Sequence, residues 1–127
     1  MSVLGIGLDL CPVDRMKQAI DRHGERFLRR VFTEQEQTYA RDAVGGMAQS
    51  LAARFAAKEA ASKSIGAPRG IGWHDVEVVP ARRGLAGPRL ILRGRAQEVA
   101  DARGVSTIMV SLTHAGGMAA AMAVAVA

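Results

Sequence analysis

Apolar and non-apolar positions alternate along the start of the chain. Leu4, Ile6, Leu8 and Leu10 fall on one face of an extended strand, and Gly5, Gly7 and Asp9 fall on the other. Glycines along the second face leave a lane in which another element can approach closely, with Asp9 at its end. Pro12 stops the strand, and Asp14 is placed to cap a helix over residues 15–30. Thr33 followed by Glu36 forms a capping box that opens a second helix, fading before Gly45 and Gly46. Ser50 is expected to cap a long helix over 51–65, ended by Gly66 and Pro68. Residues 75–79 and 89–92 read as strands joined through the turn sequence ARRGLAGP, which makes a hairpin. A short amphipathic helix over 95–103 follows, with Gly104 behind it. Ile108, Val110 and Leu112 then alternate towards His114, residues 115–117 turn, and 118–126 returns as a second hairpin. This order predicts an α+β fold, with an antiparallel sheet packed against a long central helix, in one domain over 1–127.

The long helix carries the densest candidate chemistry. In RFAAKEAASKSIG (54–66), side chains placed about 100° apart divide into two halves. Ala52, Ala53, Ala56, Ala57 and Ala60 form a small-residue face suited to close packing. Arg54, Phe55, Lys58, Glu59, Ser62 and Lys63 occupy the other half. A carboxylate among cations is what a magnesium–phosphate site requires, because Mg²⁺ takes one or two protein carboxylates, several waters and phosphate oxygens. Asp9 supplies a second carboxylate if the first strand lies against this helix. His114, at a strand end before a glycine turn, is placed to donate to phosphate from the other side. Singly, each feature has an ordinary explanation. Glu59 and Lys63 one turn apart form a helical ion pair worth about 0.2–0.5 kcal/mol, Asp9 serves a turn or cap, and His114 is a surface imidazole. The basic first helix is then a solvated face.

Composition narrows the partners. The 127 residues carry a net charge of +5, with Arg15, Lys17, Arg22, Arg26, Arg29 and Arg30 gathered early, so the partner or substrate is acidic. Nucleic acid, a phosphate-rich small molecule and an acidic protein all satisfy that. With one Trp, one Tyr and three Phe, the chain has little for stacking bases. A nucleic-acid reading also leaves Asp9 and Glu59 repelling phosphate unless a metal intervenes. A purely structural reading has the alanine-rich helix packing a trimer. The single cysteine, Cys11, excludes an internal disulfide and fits a reducing cytosol. MSVLGIGLDL lacks a basic leader, and MAAAMAVAVA is far short of the ~20 residues of a membrane span. A cytoplasmic protein with no membrane attachment is expected.

Five segments in order give the chain a family likeness. GIGLDLCPVDR (5–15), VFTEQE (31–36), RFAAKEAASKSIG (54–66), GPRLILRGRA (87–96) and SLTHAGGMAAA (111–121) resemble the motifs of holo-[acyl carrier protein] synthases, the small 4′-phosphopantetheinyl transferases. That family moves 4′-phosphopantetheine from coenzyme A to a serine of acyl carrier protein and releases adenosine 3′,5′-bisphosphate. The resemblance implies Asp9 and Glu59 as Mg²⁺ ligands. It implies Lys63 as the group that holds phosphate and stabilises the leaving group, and His114 as a contact to the nucleotide end. Arg54 and Lys58 are implied as further coenzyme A contacts. The proton acceptor is left open between Glu59 and a water held beside it. The resemblance further implies docking of an acidic carrier on the basic first helix through Arg15, Arg22, Arg26 and Phe27. It also implies a homotrimer with coenzyme A in clefts between neighbouring subunits. Ala115 stands where some relatives have an acidic residue, and 41–49 is less basic than in some relatives, so a nucleotide contact from that segment is in doubt.

Overall fold

The computed structural model describes residues 2–81 and 87–127. Its elements are β1 (Val3–Pro12), α1 (Val13–Val31), α2 (Glu34–Arg41), α3 (Met47–Ser64), a 3₁₀ turn (Trp73–Asp75), β2 (Val76–Val79), β3 (Arg89–Leu92), α4 (Gly94–Ala102), β4 (Thr107–Ala115) and β5 (Met118–Val126). Residues 82–86, within the turn expected over ARRGLAGP, lie outside the described residues.

Two antiparallel sheets form rather than one. The larger has the order β1-β5-β4, so the first strand pairs with the last, and β2 and β3 make a separate hairpin. Asp9 lies opposite Ala121, which lies opposite Leu112 on its other side. α3 rests on β1 and β5. The contact is made of small residues: Ala52, Ala53, Ala56, Ala57, Ala60 and Ala61 from the helix, and Ala119, Ala121, Ala123 and Ala125 from β5, all buried. A Cβ at Gly5 would collide with the Ser64 carbonyl, and one at Gly7 with the Ala60 carbonyl. The glycine lane is therefore the seat of α3, and it brings the helix backbone against the strand.

The leucine row of β1 faces outwards. Ile6 is 64% and Leu8 62% exposed, and Leu4, Leu10, Met109, Met118 and Met122 are exposed as well. Alternation alone does not say which face is inward. Here the glycine face is covered by α3, and the larger apolar side chains are left on the open side.

Three boundaries differ from the sequence expectations. α1 begins at Val13 behind an extended Pro12, so Asp14 sits in the first turn and makes no cap. There it favours the positive end of the helix dipole. α1 is also broken at Gly24 (φ 54°, ψ −139°), which separates Arg22 from Arg26. α3 starts at Met47 behind Gly46 (φ 92°), so Ser50 lies inside the helix instead of capping it. The Ser50 hydroxyl accepts a hydrogen bond from Arg54 Nη1 at 3.1 Å. The capping box at Thr33 forms as expected: Thr33 Oγ1 accepts from Glu36 N–H (3.2 Å), and Glu36 Oε1 accepts from Thr33 N–H (2.8 Å).

Candidate functional site

Because α3 sits low on the glycine lane, its last two turns lie beside Gly5 to Asp9 of β1. Lys63 Nζ donates to Asp9 Oδ1 at 3.1 Å and to the Leu8 carbonyl at 3.0 Å. Glu59 lies one turn before Lys63 on the same helix. Partial burial pushes the Glu59 carboxyl above its ordinary value, the Asp9 charge pushes it further, and Lys63 opposes both. Asp9 and Glu59 therefore repel each other across one site. The expected Glu59–Lys63 helical pair gives way to Asp9–Lys63, since among the described residues Glu59 has no ion-pair partner within 4.0 Å. No group of three or more His, Cys, Asp or Glu side chains converges among the described residues. Two carboxylates without a third ligand do not make an all-protein cage of the kind structural Zn²⁺ takes. They do suit Mg²⁺, which draws its remaining ligands from water and substrate phosphate.

A second cluster lies around a cavity of about 370 Å³ lined by Tyr39, Gln49, Arg54, Pro88 and His114 among others. Arg54 is only 6% exposed. Its Nη1 donates to the Ser50 carbonyl at 3.3 Å, its guanidinium lies 4.3 Å from the Tyr39 ring centroid, and its Nε has no partner. A buried guanidinium with an unused donor is suited to an anion. His114 reaches the same cavity from the end of β4. Val44, Gly45, Gly46 and Gln49 contribute wall but no cation, consistent with the weak basic character of 41–49.

The two clusters are not one site within the chain. His114 and Asp9 occupy the same face of the sheet, two rungs apart, with β5 between their strands. Two strand spacings put them roughly 10 Å apart sideways, and α3 lies across β1 and β5. Neither Asp9, Glu59 nor Lys63 lines the Arg54–His114 cavity.

Lys58 is placed differently from the coenzyme A contact that the resemblance implies. It is 3% exposed, pairs with Glu36 Oε1 at 2.9 Å, and donates to the carbonyls of Trp73 and Val76. These three acceptors take all three ammonium protons and leave none for phosphate. The helical period puts Lys58 on the polar half of α3, but its partners come from α2, the 3₁₀ turn and β2. Glu36 was legible as a capping residue; nothing in its sequence context signals the second role. Trp73 carried no signal. It stacks on Phe55 (centroids 5.1 Å apart, 29° between planes) and lines a smaller cavity of about 170 Å³ with Glu59, Ser62, Gly70 and Ile71.

On α1, Arg15, Arg22 and Arg26 are exposed, whereas Phe27 is half-buried, with its ring edge-on to Phe32 at 6.2 Å. The break at Gly24 puts Arg15 and Arg22 on one limb, and Arg26 and Phe27 on the other. Trp73 is stacked on Phe55, and Arg54 lies over one face of the exposed Tyr39 ring. No helix among the described residues is long and apolar enough to cross a membrane.

Known proteins share the sequence and the fold of this chain. A family profile described as the 4′-phosphopantetheinyl transferase superfamily matches residues 5–119. The holo-[acyl-carrier-protein] synthase of Beutenbergia cavernae is 46% identical over 123 residues, covering 97% of each chain. That of Herpetosiphon aurantiacus is 45% identical, covering 96% of this chain and 98% of its own. Among solved structures, the holo-[acyl-carrier-protein] synthase of Neisseria meningitidis superposes with a TM-score of 0.84 at 27% identity, covering 99% of this chain and 100% of its own. The Helicobacter pylori enzyme in complex with coenzyme A superposes with a TM-score of 0.80 at 25% identity, covering 95% and 99%. A carboxylate pair beside a lysine, on a fold shared with these proteins and within a sequence so close to theirs, places the chain: it belongs to the 4′-phosphopantetheinyl transferase superfamily, among the holo-[acyl-carrier-protein] synthases.

Proposed function

We propose that this chain, as a single catalytic domain, transfers 4′-phosphopantetheine from coenzyme A to a serine of an apo-acyl carrier protein. The serine oxygen forms a bond to the phosphorus that carries the pantetheine arm. The bond from that phosphorus to the bridging oxygen breaks, and adenosine 3′,5′-bisphosphate leaves with the electron pair. The observation that carries the reading is the meeting of Asp9 and Glu59, fifty residues apart in sequence, beside Lys63. Such a transfer has little covalent chemistry for the protein to perform, so positioning and charge neutralisation dominate.

Asp9 and Glu59 are the residues that would hold Mg²⁺, which would supply charge neutralisation for the substrate phosphates. Lys63 places a cation where charge builds on the leaving group. Arg54, with its unused Nε, and His114 hold the nucleotide end. Glu59, or a water it orients, accepts the serine proton.

The Arg54–His114 cavity and the Asp9–Glu59–Lys63 cluster are separate within one chain, and an assembly of copies offers the way to join them. The exposed row of Leu4, Ile6, Leu8 and Leu10, with three exposed methionines beside it, supports self-association. We therefore propose a homotrimer in which the nucleotide half-site of one copy faces the carboxylate half-site of its neighbour. Ile6→Asp is expected to lower the apparent mass in size-exclusion chromatography with light scattering and to remove activity with it. An unchanged mass would sink the use of this face.

The direct test is mass spectrometry. Incubated with coenzyme A and Mg²⁺, the protein is expected to add about 340 Da to an apo-carrier, the mass that phosphopantetheine transfer deposits. No gain on a panel of fatty-acid and polyketide carriers would remove the function. Carrier docking on α1 is a separate expectation. Replacing Arg15 and Arg26 together by alanine should raise the KM for carrier by about tenfold, from two exposed charges at up to about 1 kcal/mol each. The KM for coenzyme A should hardly move, and added salt should narrow the difference from the native protein.

A further inference from the structure

The transfer chemistry leaves one buried ion pair unused. Glu36 and Lys58 side chains are 0% and 2% exposed, and they meet at 2.9 Å. Glu36 Oε1 also accepts from Thr33 N–H at the start of α2, and Oε2 accepts from Val78 N–H at 2.8 Å. Lys58 Nζ donates to the Trp73 carbonyl at 2.9 Å and to the Val76 carbonyl. One point thus ties α2, α3, β2 and the 3₁₀ turn together. The neighbouring Glu77 extends the network, accepting from Thr33 Oγ1 at 2.6 Å and from Arg93 Nη2 at 3.0 Å. Buried ion pairs stabilise little compared with well-packed apolar residues, and fixing one arrangement among several is their better-attested use.

What this point holds is the wall of the smaller cavity. Trp73, Ile71 and Gly70 line it on one side, and Glu59 and Ser62 line it from α3. Lys58 immediately precedes Glu59, so the residue that fastens the Trp73 segment and the residue that faces it are neighbours on one helical turn. Stacking of Trp73 on Phe55 makes a second attachment of the same segment to α3.

We propose that Lys58, oriented by Glu36, is a positioning residue that fixes the Trp73 segment opposite Glu59 and so sets the space in which the reacting groups meet. This rests on the transferase reading for its kinetic consequence, though not for its structural one. Lys58 borders this cavity too, but its ammonium protons are all taken by Glu36 and two carbonyls, so it acts through the Trp73 carbonyl.

Trp73 is the only tryptophan in the sequence, so its fluorescence reports this wall alone. Lys58→Met and Glu36→Gln are to be compared with the native protein at a temperature where far-UV circular dichroism shows them folded. Acrylamide quenching of Trp73 is expected to rise about twofold. The kcat for transfer should fall about tenfold with the KM for coenzyme A within about threefold, the split that marks misplacement of reacting groups rather than lost substrate binding. Lys58→Met leaves the Glu36 carboxylate buried and unpaired; if it fails to fold, Glu36→Gln, which keeps the side-chain shape, decides. A lower melting temperature with unchanged quenching and unchanged kcat per folded molecule would overturn the proposal and leave the pair as a stabilising contact. If quenching rises while the native protein modifies no carrier, the attachment of the wall stands and the transferase reading falls. If the native protein transfers but quenching in the variants stays native, the positioning role alone falls.

Discussion

Glu59→Gln is expected to reduce phosphopantetheine transfer by about 10²–10⁴-fold, the range associated with a positioned acid–base group, without lowering the stability of the fold. The isostere keeps the shape of the side chain and removes the charge that the proposed metal binding and proton acceptance require. The stability half follows from linkage. Burial and the Asp9 charge raise the folded-state pKa of Glu59 above its unfolded value. Between those two values the folded state binds more protons than the unfolded state, so its stability falls as pH rises through the window. Above the folded value the ionised carboxylate is a constant penalty. Glutamine removes that penalty, so at neutral pH without metal the variant should melt at the same temperature as the native protein or higher. Carrier mass gain and differential scanning fluorimetry read the two halves. Retained turnover at saturating Mg²⁺ would show that Glu59 is only a surface carboxylate beside Lys63.

Gly7→Ala should cost about 3 kcal/mol or more in stability. Overpacking of a core ordinarily costs about 1–3 kcal/mol because side chains can yield. Here the obstacle is the carbonyl of Ala60, with Lys63 Cβ at 3.0 Å from the new atom, so a helix backbone has to move. With a urea m-value of about 1–3 kcal/mol/M, the midpoint is expected to fall by about 1 M or more. The same shift lifts Glu59 and Lys63 away from Asp9, so activity at low temperature should fall even in the fraction that stays folded. A midpoint within experimental error of the native one would mean that α3 does not seat on the strand as described.

The carboxylate site was legible because two periods specify it. The period of two put Asp9 on the same side as Gly5 and Gly7, and the helical period put Glu59 and Lys63 one turn apart. The glycines then announced that something would come close. The same reasoning misplaced Lys58, since a helix wheel separates polar from apolar without saying whether the polar side is wet. Glu36 and two carbonyls make a dry environment tolerable for that ammonium, and they arrive from α2, the 3₁₀ turn and β2, elements remote in sequence. The direction of the β1 leucines was hidden for a related reason: inward and outward are decided by the element that covers the strand. Boundaries failed where glycine conformations competed with side-chain caps. Gly46 turns the chain into α3 four residues before Ser50, and Gly24 interrupts a pattern that otherwise reads as continuous.

Pairing of the first strand with the last imposes an order on biosynthesis. Pro12 meets Met118 across the ladder, so roughly a hundred residues must follow β1 out of the ribosome before its partner exists. At ribosomal speeds of about 5–20 residues per second, the nascent leucine-rich segment spends about 5–20 s without a strand to bind. During that interval it is a natural target for a chaperone, and it makes the closing ladder a late, long-range event in folding. Deletion of Met118–Val126 would therefore take Asp9 out of action, although the lost stretch carries no ionisable side chain.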